Sequence, residues 1–152
     1  MDSPPIEQVK IQAKVVVPLI KTLRAKLGEE RRRYPAQSPR RPLSRGWRAM
    51  VAPAAGIRPR RKDGRDLRLV AGGDALDYEV VNLTANTFGV NIVGCRYSKF
   101  FHEISEPELG FLLVCSADFP MSEGFGDDVK LTRTQTIMEG ASHCDFRYAV
   151  KK

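Results

Sequence analysis

The stretch Lys130–Tyr148, KLTRTQTIMEGASHCDFRY, decides how the second half of this chain folds. Two runs of β-like alternation, Leu131–Met138 and Cys144–Val150, flank a short turn over Glu139–His143, which predicts an antiparallel hairpin at about residues 130–150. A hairpin does not need charged, titrating or thiol groups to fold, so their concentration here also indicates a candidate functional site. The groups in question are Arg133, Glu139, His143, Cys144 and Asp145.

The residues before this hairpin predict a second hairpin and several helices. The second hairpin is expected at about residues 75–94. A short helix is expected over Arg96–Ile104, and another near Ser105, where a proline and two acidic residues suit a first turn. Apolar residues at steps of three and four predict an N-terminal helix over residues 4–27, which Pro18 should kink or divide. The predicted fold class is α+β: an N-terminal helix and an antiparallel sheet of two hairpins with short helices between them.

The positive charge of the chain is confined to one segment. The 152 residues carry a net charge of +7, yet residues 31–69 contain twelve Arg and one Lys against two Asp, so the remaining residues are mildly acidic. The same segment holds five of the ten prolines, which predicts poor order between the helix in residues 1–30 and an α+β core in residues 70–152. Together these parts form one domain. Nucleic-acid binding through the segment is an unfavoured alternative, because only Tyr34 and Trp47 could stack on bases.

Composition also restricts the compartment. No apolar run approaches the ~20 residues that span a bilayer, and the N-terminus lacks the basic and then apolar pattern of a signal peptide. Three cysteines, an odd number, favour reduced thiols. We therefore expect a cytoplasmic protein with no membrane partner.

The stretch CSADFPMSEGF, residues 115–125, contains a second set of candidates. Cys115 and Asp118 are three residues apart and would share a helix face. Cys115 is equally well explained as a buried thiol among leucines, and Asp118 and Glu123 as surface residues near a helix end. The functional interpretation of the same residues is a thiol nucleophile beside carboxylates that can transfer protons.

The polar run Thr132–Thr136 is unusual for a half-buried strand, because neither face is apolar. If Arg133 points inward, it needs a carboxylate from the protein or from a ligand; the alternative is an exposed edge strand. Alternation along the next strand puts His143 and Asp145 on one face and Cys144 on the other. Cys144 is therefore expected to face the core.

Metal and cofactor signals are weak. A zinc set could be assembled from four side chains, but no CxxC or HxxxH spacing prearranges it; these are Cys95, Cys115, His143 and Cys144. Neither a Gly-rich phosphate loop nor a GxSxG turn is present. We expect no cofactor, with a divalent metal as the open alternative.

The motif GFLLVCSADFPMSEGF, residues 110–125, followed by residues 130–148, resembles the L-2-amino-thiazoline-4-carboxylic acid hydrolase family. The resemblance covers roughly residues 73–148, including Cys95-Arg96-Tyr97, and more loosely residues 7–30. Residues 31–69 depart from it. One hypothesis is a pair of compensating reading-frame errors, which resequencing of the coding region would test.

The resemblance implies hydrolytic opening of a cyclic isothiourea, L-2-amino-thiazoline-4-carboxylate, to N-carbamoyl-L-cysteine, a bacterial-type step in cysteine biosynthesis. It requires a cation for the substrate carboxylate, a role that suits Arg133. The substrate-binding residues expected around it are Thr132, Thr134, Cys95 and Tyr97.

Two mechanisms are compatible with these residues. In the first, Cys115, preferred over Cys144, attacks as a thiolate that His143 activates, and Asp145 orients the imidazole. In the second, Asp118 or Glu123 activates water.

A non-catalytic small-molecule-binding or sensor module is the alternative function. It would use the same residues to bind a small-molecule carboxylate without turnover. The sequence is compatible with a homo-oligomer in either case.

Overall fold

The computed structural model of this protein describes residues 5–27, 75–124 and 128–150. The arginine- and proline-rich segment, 31–69, lies outside the described residues. The prediction that it is poorly ordered therefore concerns residues that the structure does not describe.

Four helices, four strands and two 3-10 helices make up the described residues. In chain order they are α1 (Pro5–Leu27), β1 (Leu76–Leu83), β2 (Thr87–Cys95), α2 (Arg96–Glu103), α3 (Pro107–Leu113), a 3-10 helix (Cys115–Ala117), α4 (Asp118–Gly124), β3 (Val129–Thr132), a 3-10 helix (Ile137–Glu139) and β4 (Cys144–Val150).

The four strands form one antiparallel sheet in the order β1-β2-β4-β3. β1 and β2 make the first predicted hairpin, and β3 and β4 make the second. Strand β2 lies between β1 and β4, where Val90 pairs with both Val80 and Phe146. The predicted α+β class, with an N-terminal helix and two hairpins joined by short helices, is confirmed.

The first strand of the second hairpin is shorter than predicted. The strand expected over Leu131–Met138 ends at Thr132, because the following amides have other acceptors. The carboxylate of Asp145 accepts hydrogen bonds from the amides of Thr134 (2.8 Å) and Gln135 (2.9 Å). A side-chain acceptor that takes successive amides competes with the strand ladder, so the chain leaves the sheet at this point.

A short 3-10 helix replaces the rest of the predicted strand. Thr136 caps it by accepting a hydrogen bond from the amide of Glu139 at 3.2 Å, and its hydroxyl donates to the Glu139 carboxylate at 2.8 Å. Both hydrogen bonds use the Thr136 hydroxyl, which therefore holds the backbone and the side chain of Glu139 at the start of this turn. Gly140 ends the turn with φ of +94°, a left-handed conformation that suits glycine. The connection between β3 and β4 is therefore longer than the turn predicted over Glu139–His143.

The N-terminal helix is one continuous helix. Of the two effects expected at Pro18, a kink or a division, the division does not occur: α1 runs from Pro5 to Leu27 through it. Two ion pairs attach α1 to the start of α3. They join Lys21 Nζ to Glu106 Oε1 at 2.5 Å and Arg24 Nη2 to Glu108 Oε1 at 2.7 Å. Glu106 is the N-cap of α3, and Ser105 before it has φ of +58°. None of the helices in the described ranges combines the length and the apolar character needed to cross a bilayer.

Two apolar clusters meet between the sheet and the helices. The first covers the inner face of the sheet and consists of Phe88, Val90, Ile92, Val129, Leu131, Cys144 and Tyr148. The second is built by the helices and consists of Ala13, Val17, Phe101, Leu109, Cys115 and Met138. Gly110 allows the second cluster to close, because a Cβ there would lie 2.6 Å from the Phe101 ring and 2.7 Å from the Met138 sulfur. The candidate site lies where the two clusters adjoin.

Candidate functional site

Arg133 is the most enclosed charged group among the candidates, with a side chain only 3% exposed. Its guanidinium lies 5.1–5.8 Å from the ring centres of three phenylalanines, Phe111, Phe119 and Phe146. Phe111 packs against the helical cluster, and the other two against the sheet cluster. Aromatic faces at this distance attract a cation, so Arg133 is held at the junction of the two clusters.

Asp118 supplies the carboxylate that the inward Arg133 was expected to require. Nη1 of Arg133 donates to Asp118 Oδ2 and, at 3.1 Å, to the carbonyl oxygen of Cys115. Both acceptors belong to one stretch of chain, since a 3-10 helix begins at Cys115 and α4 begins at Asp118. The arginine therefore joins the loop after β3 to the start of α4.

Asp118 titrates close to neutral pH. Burial raises the pKa of its carboxyl from the usual 3.8 to about 6, and this effect outweighs the opposing charge and hydrogen bond of Arg133. The side chain nevertheless keeps 21% of its surface exposed. A carboxyl that is partly desolvated, paired and still accessible can exchange a proton near the pH at which most enzymes operate.

All three thiols lie close enough to Asp118 for its charge to affect them. Burial is the first cause of the raised pKa of Cys95, Cys115 and Cys144, and the charge of Asp118 adds to it in each case. The rise is large for Cys115, which is buried. The Cys144 sulfur accepts a hydrogen bond from the amide of Ile137 at 3.2 Å, and the Cys95 sulfur accepts one from the amide of Ser98 at 3.3 Å. Protonated thiols are weak nucleophiles, so this environment does not activate Cys115.

Tyr148 and Ser122 complete the polar groups around Asp118. The pKa of the Tyr148 hydroxyl is raised, first by burial and then by the charge of Asp118, against a hydrogen bond with Ser122. Ser122, at 1% exposure, also donates to the carbonyl oxygen of Asp118 at 2.6 Å. We call Asp118, Arg133, Tyr148, Ser122 and the three thiols the Asp118 cluster.

His143 lies in a different group of contacts. Its ring nitrogens are 3.1 and 3.3 Å from Nε2 of Gln135, and Nδ1 is 3.0 Å from the Ser142 hydroxyl. Asp145 accepts its side-chain and amide hydrogen bonds from Thr134 and Gln135. These contacts connect Asp145 to the loop after β3 instead of to the imidazole.

The remaining candidates are distributed around the cluster. Thr132 and Thr134 are exposed on either side of Arg133, and Tyr97 is half-buried on α2. Glu123 is half-buried on α4, five residues after Asp118, and five residues correspond to about 140° around a helix. The two carboxylates therefore point in different directions. Cys144 faces the core, as its alternation with Phe146 and Tyr148 predicts.

In the described ranges, no three His, Cys, Asp or Glu side chains are grouped so as to hold a metal ion. A groove of about 410 Å³ lies between α1 and α2, and its lining is separate from the Asp118 cluster. The lining residues are Ile6, Glu7, Lys10, Arg96, Lys99, Phe100 and Glu103.

Several residues in and around the Asp118 cluster were not identified from the sequence. Phe146 and Tyr148 alternate with Cys144 and were interpreted only as inward-facing strand residues, and Phe111 and Phe119 were not singled out. The one available signal was the inward Arg133, since a buried guanidinium requires both a carboxylate and planar or apolar surroundings. Ser122 carries no signal of its own, because serine is common near helix ends.

Comparison with known proteins gives one family. The family model described as L-2-amino-thiazoline-4-carboxylic acid hydrolase matches residues 8–148, nearly the whole chain. Neither the curated proteins nor the solved structures give a significant match. The match includes Cys115, Asp118 and Arg133, which the fold brings together. The chain belongs to the L-2-amino-thiazoline-4-carboxylic acid hydrolase family.

Proposed function

We propose that this protein hydrolyses L-2-amino-thiazoline-4-carboxylate to N-carbamoyl-L-cysteine, with Asp118 as the group that transfers protons. The family name supports the reaction class. The observation that carries the assignment to this site is the Asp118–Arg133 pair: a carboxyl with a pKa of about 6, one fifth exposed, beside an enclosed cation. Ring opening of an isothiourea needs a base and then an acid in turn, and such a carboxyl serves as both.

The proposed reaction adds one water and breaks one carbon–sulfur bond. Water oxygen bonds to the ring carbon that carries the sulfur and both nitrogens, while Asp118 accepts one of the water protons. The carbon–sulfur bond of the adduct then breaks, its electron pair stays on sulfur, and Asp118 returns the proton to that sulfur. The second water proton ends on the ring nitrogen, which leaves a urea group and a free thiol.

Arg133 has two roles in this proposal. Its ion pair fixes Asp118, and its remaining donors bind the substrate carboxylate, since a guanidinium carries five N–H groups and the two hydrogen bonds to protein both use Nη1. Because the side chain is only 3% exposed, the substrate must displace some of the surrounding apolar contacts to reach it. Thr132 and Thr134 flank Arg133 in the chain and are exposed, and the Thr134 hydroxyl donates to Asp145, so neither is given a substrate contact in this proposal.

Attack by water is preferred here to attack by Cys115. Burial and the charge of Asp118 both oppose ionisation of this thiol, and His143 makes its contacts with Gln135 and Ser142. A thiolate mechanism would need both conditions to change when substrate binds. We therefore assign Cys115, Cys95 and Cys144 to the wall of the site.

The test is mass spectrometry of the full chain incubated with L-2-amino-thiazoline-4-carboxylate. We expect a product heavier by one water that carries a free thiol, and no such product in a sample without protein. Calorimetry with the same compound gives the second readout. Binding without product formation by folded protein would replace the hydrolase with a binding or sensor module.

A further inference from the structure

The backbone amides of the loop between β3 and the second 3-10 helix donate to one side chain of the neighbouring strand. Asp145, on β4, accepts three hydrogen bonds from this loop: from the amide of Thr134 (2.8 Å), its hydroxyl (2.7 Å) and the amide of Gln135 (2.9 Å). The last ladder pair before the loop joins Thr132 to Arg147. Asp145 therefore accepts the backbone N–H groups of the loop at the point where the pairing of β3 with β4 ends.

The same loop directs the Arg133 side chain to the inner side of the sheet, opposite to the side that holds the Asp145 carboxylate. Cys144 and Phe146, the neighbours of Asp145, face the inner side, so alternation places the Asp145 carboxylate on the outer side. Arg133 lies in the loop immediately before Thr134, and its guanidinium points inward to Asp118 and the three phenylalanines. Asp145 thus fixes the backbone around Thr134 from the outer side of the sheet, while Arg133 pairs with Asp118 on the inner side.

We propose that Asp145 is a positioning residue of the site: it clamps the Thr134–Gln135 backbone from the outer side of the sheet and thereby holds Arg133 against Asp118. This rests in part on the proposed function, because Asp118 is given the chemistry there. The role differs from that expected at the level of sequence, which was to orient His143. Asp145 acts through Arg133 and does not touch the substrate.

The clamp predicts a specific response in Asp118. If Arg133 is held less firmly, Asp118 loses part of a favourable charge, and an opposite charge at this range lowers a carboxyl pKa by about 1–3 units. Weakening the clamp should therefore raise the Asp118 pKa. Removing the negative charge of Asp145 without loosening the loop should instead lower the Asp118 pKa slightly, because a nearby negative charge disappears. The two effects have opposite signs.

Other groups around Asp118 stay the same in this comparison. They are Cys115, three residues before it in the chain, Cys95 at the end of β2, Cys144 and Tyr148 on β4, and Arg133 itself. Among these, Arg133 is the one that the Asp145 clamp positions.

The experiment is an NMR titration of the Asp118 side-chain carboxyl carbon in the full chain, for wild type, Asp145→Ala and Asp145→Asn. Asparagine can still accept both amide hydrogen bonds and donate to the Thr134 hydroxyl, so it retains the clamp and loses only the charge. We expect the alanine variant to titrate about one unit higher than wild type, within the range for a weakened charge pair, and the asparagine variant at the wild-type value or slightly lower. Asp77→Asn, an exposed aspartate on β1, is the matched control and should leave the titration unchanged.

An unchanged or lowered Asp118 titration in Asp145→Ala would overturn the proposal. If the alanine variant does not fold, Thr134→Ala removes one of the three bonds, and the same reasoning gives a smaller upward shift; no shift there would overturn it as well. The titration needs no turnover, so its outcome stands even if the hydrolase activity is absent. In active protein, kcat/KM of Asp145→Ala should fall about 10- to 100-fold, the range expected for a misplaced catalytic group, and the acid limb of its pH profile should move upward with the titration.

Discussion

Asp118 and Asp145 are aspartates on opposite sides of one loop, and their surroundings give them opposite properties. Asp118 is desolvated between the sheet and the helices, and its pKa rises to about 6 despite the adjacent arginine. Burial acts on Asp145 in the same direction, but hydrogen bonds from Thr134 and Gln135 outweigh it and lower its pKa. The first carboxyl is suited to transfer protons, and the second stays ionised as a fixed acceptor.

This comparison separates the chemistry of the site from its support. A carboxylate that accepts three hydrogen bonds is stabilised in its charged form and has little tendency to take up a proton. A carboxylate that faces a cation at low polarity can exist in either form near neutral pH. The residue spacing alone did not distinguish them, because both are aspartates beside a candidate thiol.

The largest expected effect comes from removing the proton-transfer group. Asp118→Asn should lower kcat by at least about 100-fold, since general acid–base catalysis contributes that much or more. In wild type, kcat/KM should rise with pH through about 6 as Asp118 loses its proton. Turnover is measured by product mass across pH 4.5–8 (roughly the range around this pKa), with Asp77→Asn as the control. A variant that retains activity within a few-fold would assign the base role elsewhere, with Glu123 the next candidate.

Removing the enclosed cation should lower the stability of the fold in addition to weakening substrate binding. Arg133→Ala leaves Asp118 without its partner and deletes a side chain packed among three aromatic rings, which should cost about 3 kcal/mol of unfolding free energy at pH 7. The cost should shrink below pH 6, because a protonated Asp118 no longer needs a cation. Urea denaturation at pH 5 and pH 7 gives both values. Arg96→Ala, which removes an exposed arginine, should change the stability little; equal effects of the two substitutions would contradict the enclosed ion pair.

The contribution of Asp145 to stability should also decrease in acid, but at lower pH than that of Arg133. Its pKa is lower in the folded chain than in the unfolded chain, so its contribution is complete above the unfolded value near 3.8 and is lost as pH falls through the folded value. Asp145→Asn should therefore be less stable than wild type at pH 7, by about 1 kcal/mol or less for partly exposed hydrogen bonds. The difference should vanish in acid. Denaturation curves between neutral and acidic pH measure it, and a difference that grows in acid would contradict the assignment.

The smallest effect on catalysis is expected at the buried thiol. Cys115→Ser should keep kcat within a few-fold of wild type, because the raised pKa of this thiol disfavours a thiolate and water is the proposed nucleophile. Its stability should fall by about 1 kcal/mol, since a hydroxyl is more costly to bury than a thiol. The same turnover assay decides the point. Loss of activity by 100-fold or more in a folded variant would restore Cys115 as the nucleophile and remove Asp118 from that step.

Sequence patterns were sufficient for elements whose side chains follow a simple period. The alternation of Cys144, Phe146 and Tyr148 gave β4 and its inward face, and the apolar spacing before Leu27 gave α1. They were insufficient where one side chain redirects the backbone. Nothing near Thr134 in the chain indicates that its amide donates to Asp145, eleven residues later, so β3 was predicted too long.

The candidate site, too, was only partly predictable from the sequence. Arg133 was expected to need a carboxylate if it faced inward, and Asp118 was among the acids considered. Their pairing joins residues 15 positions apart and depends on how the loop after β3 meets the start of α4. The roles of Asp145 and His143 were drawn from strand alternation, which gives the face of a residue but not its hydrogen-bond partner.

The sequence by itself determined the α+β class, the two hairpins, the N-terminal helix and the family, because periodicity and extended motifs are properties of neighbouring residues. Only the tertiary structure decided which acid is desolvated and which is fixed by hydrogen bonds. The pKa of a carboxyl depends on burial, nearby charges and hydrogen bonds, and here the side chains that supply them come from several separate segments. Asp118 and Asp145 therefore acquire their different chemistry when the sheet, the loop and α4 come together.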